Sequence, residues 1–148
     1  METIREILNT KGREIFSVAP DTSVFEALKL MADKNIGAVL VLERDKLVGI
    51  MSERDYARKI ALKGKLSKEV PVKEIMSTEV ICIGPEQSID NTKAIMISKR
   101  IRHLPVLEED KLVGLISIGD VVNALLDEHS FIIDQLETYI KGVQAPKE

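Results

Sequence analysis

The sequence is poor in cysteine, histidine and aromatic residues, and each shortage argues against a class of function. The single cysteine, Cys82, excludes an internal disulfide, and the lack of disulfides is typical of proteins in a reducing cytosol. Two histidines and one cysteine are too few for a convincing zinc site. The two tyrosines and three phenylalanines are too few and too scattered to stack the bases of single-stranded nucleic acid.

The sequence also lacks a basic cluster and a long apolar run. Its 21 Lys and Arg against 24 Asp and Glu give a net charge of −3 spread along the chain, which argues against nucleic acid as a partner. No apolar run reaches the roughly 18 residues of a membrane helix, and the first residues lack a signal peptide's apolar stretch. We therefore expect a soluble, cytoplasmic protein of 148 residues whose core needs neither metal nor disulfide.

The chain contains an internal sequence repeat. At a shift of 65 residues, residues 14–60 align without a gap with residues 79–125, and both copies contain the pentapeptide DKLVG. Upstream, residues 4–8 match residues 72–76 at a shift of 68, so the first copy has three extra residues after this lead-in segment. We expect a first repeat over residues 1–66, a second repeat over 67–126 and an extension over 127–148.

Each copy has the pattern strand, helix, strand, strand, helix, which predicts an α/β (α+β) fold. In the first copy, residues 15–18 and 38–42 are apolar runs typical of buried strands, and residues 47–51 complete a hairpin. Ser23 and Glu26 have the spacing of a helix N-cap, and Ser52 is placed to open a second helix. The second copy repeats this pattern from Val80 onward.

The last helix of the second copy is predicted to continue as a helical extension. Apolar residues recur along it at helical spacing, at Leu126, Ile132, Ile133, Leu136 and Ile140. This stripe either packs onto the chain's own core or forms a seam against a second subunit, and the spacing favours neither.

Polar residues recur where the hairpin's second strand meets the following helix. Residues 49–55 and 114–120 share the pattern Gly-x-x-Ser-x-x-Asp. A hydroxyl and free amides at a helix start favour an anion, and an ionised carboxylate one turn later accepts hydrogen bonds from a ribose diol. The alternative is that Ser caps the helix and Asp interacts with its dipole. Because the spacing occurs in both copies, the pattern favours a binding site.

These features resemble a tandem cystathionine-β-synthase-type (CBS) domain pair. The two Gly-x-x-Ser-x-x-Asp endings, RHLPV at residues 102–106 and VKEIM at residues 72–76 carry the resemblance, which covers about residues 4–125. It implies two βαββα units packed about a pseudo-twofold axis. It also implies a non-catalytic regulatory module whose two clefts bind AMP, ADP, ATP, S-adenosylmethionine or NAD(H).

The resemblance further implies which residues contact the ligand. It places the ribose-binding acids at Asp55 and Asp120 and the nearby hydroxyls at Ser52 and Ser117. Adenine would lie against the first strand and the start of the second in each copy, at Ile15, Ser17, Val18, Ile36, Gly37 and Ala38, and at Val80, Cys82, Ile83, Ile101, Arg102 and His103.

The copies differ at charged positions, which predicts unequal clefts. Arg102 and His103 align with Gly37 and Ala38, and Arg54 aligns with Gly119. A phosphate directed to the middle of the module could meet Arg54 from one copy and Arg102 or His103 from the other. The alternatives are a solvated helix face for Arg54 and a neutral, hydrogen-bonded His103. We expect one better cleft and one that is weaker or empty.

Three functions are compatible with this sequence. The first is a sensor of an adenine nucleotide, with AMP favoured, that requires no cofactor and acts as a homodimer on an unidentified client protein. The second is a ligand-independent dimerisation or interaction scaffold, which would remain if both carboxylates were used up by neighbouring main chain. The third is an enzyme using Ser117, Asp120 and His103. We disfavour the enzyme because Ala38 matches His103 and no separate catalytic domain is present.

Overall fold

An antiparallel hairpin followed by a helix is the common centre of both repeats. The computed structural model describes residues 3–128, so the predicted extension beyond residue 128, with Ile132 to Ile140, lies outside the described residues. A lead-in helix opens the chain, and the first repeat follows it; their elements are α1 (Ile4–Lys11), β1 (Ser17–Val18), α2 (Val24–Lys34), β2 (Ala38–Glu43), β3 (Lys46–Ser52) and α3 (Glu53–Tyr56), which continues as a π-helical turn (Ala57–Ala61).

The second repeat has the same order of elements, with one strand missing. It consists of a 3₁₀ turn (Val72–Glu74), α4 (Ile89–Lys99), β4 (His103–Glu108), β5 (Lys111–Ser117) and α5 (Ile118–Glu128). Its hairpin pairs His103 with Ser117, as the first pairs Ala38 with Ser52. Asp45 and Asp110 lie in the hairpin turns with φ of 65° and 63°, a left-handed conformation that aspartate tolerates.

The first strand predicted for each copy is shorter than expected. In the first copy only Ser17 and Val18 pair with β2, in parallel. In the second copy the strand expected from Val80 is not formed, and a single bridge joins Ile83 to Val106. Proline explains the difference. The Leu40 N–H of the first copy donates to the Phe16 carbonyl, whereas the matching residue of the second copy, Pro105, has no N–H to donate.

Each repeat completes its core with the lead-in segment of the other. Ile4 and Leu8 of α1 are fully buried in the cluster of the second repeat that contains Leu104. Val72 and Ile75 are buried in the cluster of the first repeat. Reciprocal exchange of this kind relates the two repeats by an approximate twofold axis, and it confirms the predicted α+β architecture of two packed repeats.

Two matched glycines permit this exchange. A Cβ at Gly114 would lie 2.5 Å from a methyl carbon of Leu8, and a Cβ at Gly49 would lie 2.5 Å from the sulfur of Met76. Leu8 and Met76 are themselves matched by the 68-residue shift. Both glycines belong to the DKLVG pentapeptide, so part of this shared sequence serves the packing of the lead-in segments.

Candidate functional site

A cavity of about 340 Å³ lies between the two repeats. The first repeat contributes the end of β3 and the start of α3 to its wall, including Ser52 and Asp55. The second repeat contributes the residues before β4, including Arg102 and His103. This volume is within the range of small-molecule sites in proteins, near its lower end.

The start of α3 is held by a reciprocal pair of hydrogen bonds. The Asp55 N–H donates to Ser52 Oγ over 3.2 Å, and the Ser52 N–H donates to Asp55 Oδ2 over 2.9 Å. The capping alternative is therefore correct for this pair. Capping engages only Oδ2, while Oδ1 lies 3.3 Å from the Lys59 ammonium and accepts no hydrogen bond from the main chain among the described residues. Oδ1 is thus the carboxylate oxygen outside the cap, where it forms an ion pair with Lys59.

Three arginines line the cavity. Arg54 comes from α3, and Arg100 and Arg102 come from the turn between α4 and β4. Arg100 ends α4 in a left-handed conformation with φ of 55°, as the matching Asn35 ends α2. Arginine forms bidentate hydrogen bonds with phosphate oxygens, so this group of side chains is suited to a phosphorylated ligand.

His103 lies in the wall of the cavity as a neutral imidazole. Burial lowers the pKa of His103 below its usual value, the charge of Asp120 opposes this, and the charges of Lys11 and Arg102 lower it further. The ring also faces the other repeat, because a Cβ added at Gly37 would lie 3.7 Å from its Cε1 atom. This environment agrees with the neutral state considered for His103.

The predicted ligand residues separate into two groups. Eight of them line the cavity: Gly37, Ser52, Arg54, Asp55, Val80, Ile101, Arg102 and His103. The others lie outside its lining: Ile15, Ser17, Val18, Ile36, Ala38, Cys82, Ile83, Ser117, Gly119 and Asp120. Ala38 and Ile83 are buried in the core, which leaves their side chains no exposed surface for a ligand. Burial raises the pKa of the Cys82 thiol, which disfavours the reactive thiolate.

The matching junction of the second repeat is occupied by a lysine. Ser117 and Asp120 form the same reciprocal cap as Ser52 and Asp55. In addition, Lys11 Nζ donates to Asp120 Oδ2 over 2.7 Å and to the Leu115 carbonyl over 2.8 Å. The two junctions therefore share their backbone geometry and differ in what covers them.

Several wall residues were not identified from the sequence. Arg100, which lines the cavity, could have been identified from the alignment, because it aligns with the uncharged Asn35 just as Arg102 aligns with the uncharged Gly37. Ser77 and Glu79 line the cavity from the segment that follows the 3₁₀ turn, and no motif marks them. Their position depends on how the lead-in segment packs, which the sequence pattern did not predict.

Comparison with known proteins decides the family. The model of the CBS domain matches residues 4–62 and again residues 72–127. The chain belongs to the CBS domain family. This confirms the resemblance inferred from the repeated motifs. CBS pairs are regulatory modules, and the match includes no catalytic family.

CBS relatives cover almost the whole chain. The mitochondrial CBS domain-containing protein CBSX3 of Arabidopsis thaliana is 37% identical over 149 residues, which cover 95% of this chain and 72% of that protein. A solved structure of a CBS-domain protein from Burkholderia ambifaria is 46% identical with a TM-score of 0.83, covering 86% of this chain and 96% of that one.

A more distant CBS pair was solved in complex with 5′-methylthioadenosine and S-adenosyl-L-methionine. It is 23% identical with a TM-score of 0.76, covering 86% of this chain and 98% of that one. This similarity establishes a shared fold.

Between residues 3 and 128, no helix is long and apolar enough to cross a membrane, and no group of three or more His, Cys, Asp or Glu side chains is placed to hold a metal ion.

Proposed function

We propose that this CBS pair is a regulatory module that binds a phosphorylated adenosine, AMP in the first place, in the cavity between the repeats. The observation that carries the proposal is the juxtaposition of Asp55 with Arg54, Arg100 and Arg102 around one cavity. A carboxylate that accepts from hydroxyls and guanidinium groups that donate to phosphate are the two polar requirements of a nucleotide.

The cavity also offers an apolar surface for a base. Val80, Ile81 and Ile101 also line it. Pockets of this kind bind ligands mainly through apolar walls, and a few polar groups fix the orientation. The volume of about 340 Å³ suits one mononucleotide better than a dinucleotide such as NAD.

The ligands of the distant CBS pair support the adenosine part of the proposal. Both ligands of that protein contain adenosine. We carry over the adenosine and not the sulfur-containing substituents, because neither a sulfonium nor an uncharged thioether has an oxygen that accepts hydrogen bonds from the three arginines of the cavity wall. Phosphate supplies such oxygens, and Arg can bind them in a bidentate manner.

Regulation requires more than binding. A ligand shifts an equilibrium only if it binds two states of the module, or of the module with its partner, with different affinity. The predicted homodimer, the client protein and the cytoplasmic location belong to this proposal. A ligand-independent scaffold is the alternative, and light scattering distinguishes them: a dimer of constant size that gives no binding heat with nucleotides favours the scaffold.

Calorimetric titration with AMP, adenosine and S-adenosylmethionine tests the ligand. We expect AMP to bind at least tenfold more tightly than adenosine, because a hydrogen bond to a charged group contributes about 1.5–3 kcal/mol. Arg102→Gln should remove most of this preference. Arg58→Gln is the matched control, because Arg58 is exposed and lies outside the cavity lining. Equal affinity for AMP and adenosine would contradict the proposal.

A further inference from the structure

The cleft side of the second repeat carries a tethered cation. Lys11 Nζ bridges the Leu115 carbonyl and Asp120 Oδ2. At the 65-residue shift, these partners match Ile50 and Asp55, and both of those residues line the cavity. The surface that is open to a ligand in the first repeat is therefore covered by a lysine in the second.

The position of Lys11 follows from the different paths of the two lead-in segments. The second segment leaves its helical turn at Glu74, pairs Ser77 with Ile50 through two backbone hydrogen bonds, and brings Glu79 to the cavity wall. The first segment remains helical through Lys11. Lys11 lies between the two aligned stretches, where the first copy has three extra residues, so the repeat assigns it no counterpart in the second copy.

Packing of α1 fixes this lysine in place. Leu8 is fully buried against Gly114, and Lys11 follows it by three residues on the same side of the helix. The Lys11 side chain is 36% exposed, and the Asp120 side chain is 19% exposed. The contact is thus partly shielded from solvent and is held by a helix that belongs to the core of the second repeat.

Lys11 also uses hydrogen-bonding capacity that a ribose would need. Asp120 Oδ2 already accepts from the Ser117 N–H and from Lys11. A carboxylate oxygen has two lone pairs, so these two donors fill Oδ2, and a diol that needs both oxygens of Asp120 must displace Lys11. At the first repeat, Asp55 Oδ2 accepts from the Ser52 N–H and from Ser52 Oγ, and Lys59 lies 3.3 Å from Oδ1. The junctions therefore differ in the position of the lysine: Lys59 stands outside the cavity lining, whereas Lys11 also binds the Leu115 carbonyl.

We propose that Lys11 is a built-in occupant of the second cleft and determines that the module binds one adenosine nucleotide more tightly than a second. The inference rests on the proposed function for the class of ligand. Binding at Ser117 and Asp120 requires the Lys11 ammonium to leave the Leu115 carbonyl and Asp120.

A substitution that keeps the stem and removes the charge tests this role. Lys11→Met keeps an unbranched apolar side chain and a high helix propensity at this position. We expect the second equivalent of AMP to bind about fivefold more tightly to this variant than to the wild type in calorimetric titration, the ratio expected for the loss of one partly exposed ion pair. Lys11→Arg should retain the weak second site. Lys73→Met is the matched control, because Lys73 pairs with exposed Asp21 away from the cavity lining.

The number of sites separates the two proposals. One tight site in the wild type and two in Lys11→Met support both, and adding Asp120→Asn to Lys11→Met should remove the second site again. One tight site in both proteins overturns the role of Lys11 and leaves the proposed function intact. A site that exists only in Lys11→Met supports that role and contradicts binding in the cavity. A weaker second site in Lys11→Met, or no binding to either protein, also overturns the role of Lys11.

Discussion

Asp55→Ala is expected to weaken AMP binding by about 10- to 150-fold. The carboxylate is 14% exposed, lines the cavity and has one oxygen that accepts no hydrogen bond from the main chain within residues 3–128. A hydrogen bond to a charged group contributes about 1.5–3 kcal/mol, and each 1.36 kcal/mol corresponds to a factor of ten in affinity. The expected loss follows from one such bond to the ribose.

The same substitution removes a helix cap, and this second effect must be separated from the first. Loss of an N-terminal cap costs about 0.5–2 kcal/mol in the free energy of unfolding. Ser23→Ala is the matched control, because Ser23 caps α2 by accepting from the Glu26 N–H and lies outside the cavity lining. We expect both variants to lose similar stability in urea denaturation, while only Asp55→Ala loses affinity.

Isothermal titration of folded samples at one temperature measures the affinity. Circular dichroism under the same conditions verifies that each variant is folded. If Asp55→Ala binds AMP as tightly as the wild type, the carboxylate makes no contact with the ligand. The Ser52 and Asp55 pair would then serve only as a cap, and the assignment of a ribose site to it would be refuted.

Two further predictions concern stability. Leu8→Ala should reduce the free energy of unfolding by about 2–5 kcal/mol in urea, because Leu8 is fully buried. The control Ile97→Ala, at a residue that is 67% exposed, should change it by less than about 0.5 kcal/mol. Equally small losses in the two variants would contradict the packing of α1 in the core. Because the pKa of His103 is lowered by folding, the unfolded chain takes up a proton first, so stability should fall as the pH drops below about 6.5. His103→Gln should show a smaller loss between pH 7.5 and 5.5, and identical losses in the two proteins would contradict the buried neutral state.

Local patterns predicted most elements of the fold. The continuous apolar run that starts at Ala38 became β2, and the spacing of Ser23 with Glu26 became a real N-cap. These features depend on residues close in sequence, so their physical causes are visible in the sequence. The first strand of the second copy was not predictable in this way, because its loss depends on Pro105, which lies in the strand it would pair with.

The candidate site was predicted as far as the internal repeat could reveal it. Ser52 and Asp55 are conspicuous because they occur twice, and Arg102 is conspicuous because it has no counterpart. Lys11 and Glu79 were missed for a common reason. Their positions depend on which repeat each lead-in segment packs against and where its helix ends, and the spacing of residues within one repeat does not encode this.

The exchange of lead-in segments means that neither half is a self-sufficient folding unit. A chain cut between residues 62 and 72 would separate Ile4 and Leu8 from the strands that bury them. It would also separate Val72 and Ile75 from the core of the first repeat. A lone copy could shelter these side chains only by trading them with a second molecule. In the duplicated chain that partner is covalently attached, so its internal pairing does not depend on protein concentration.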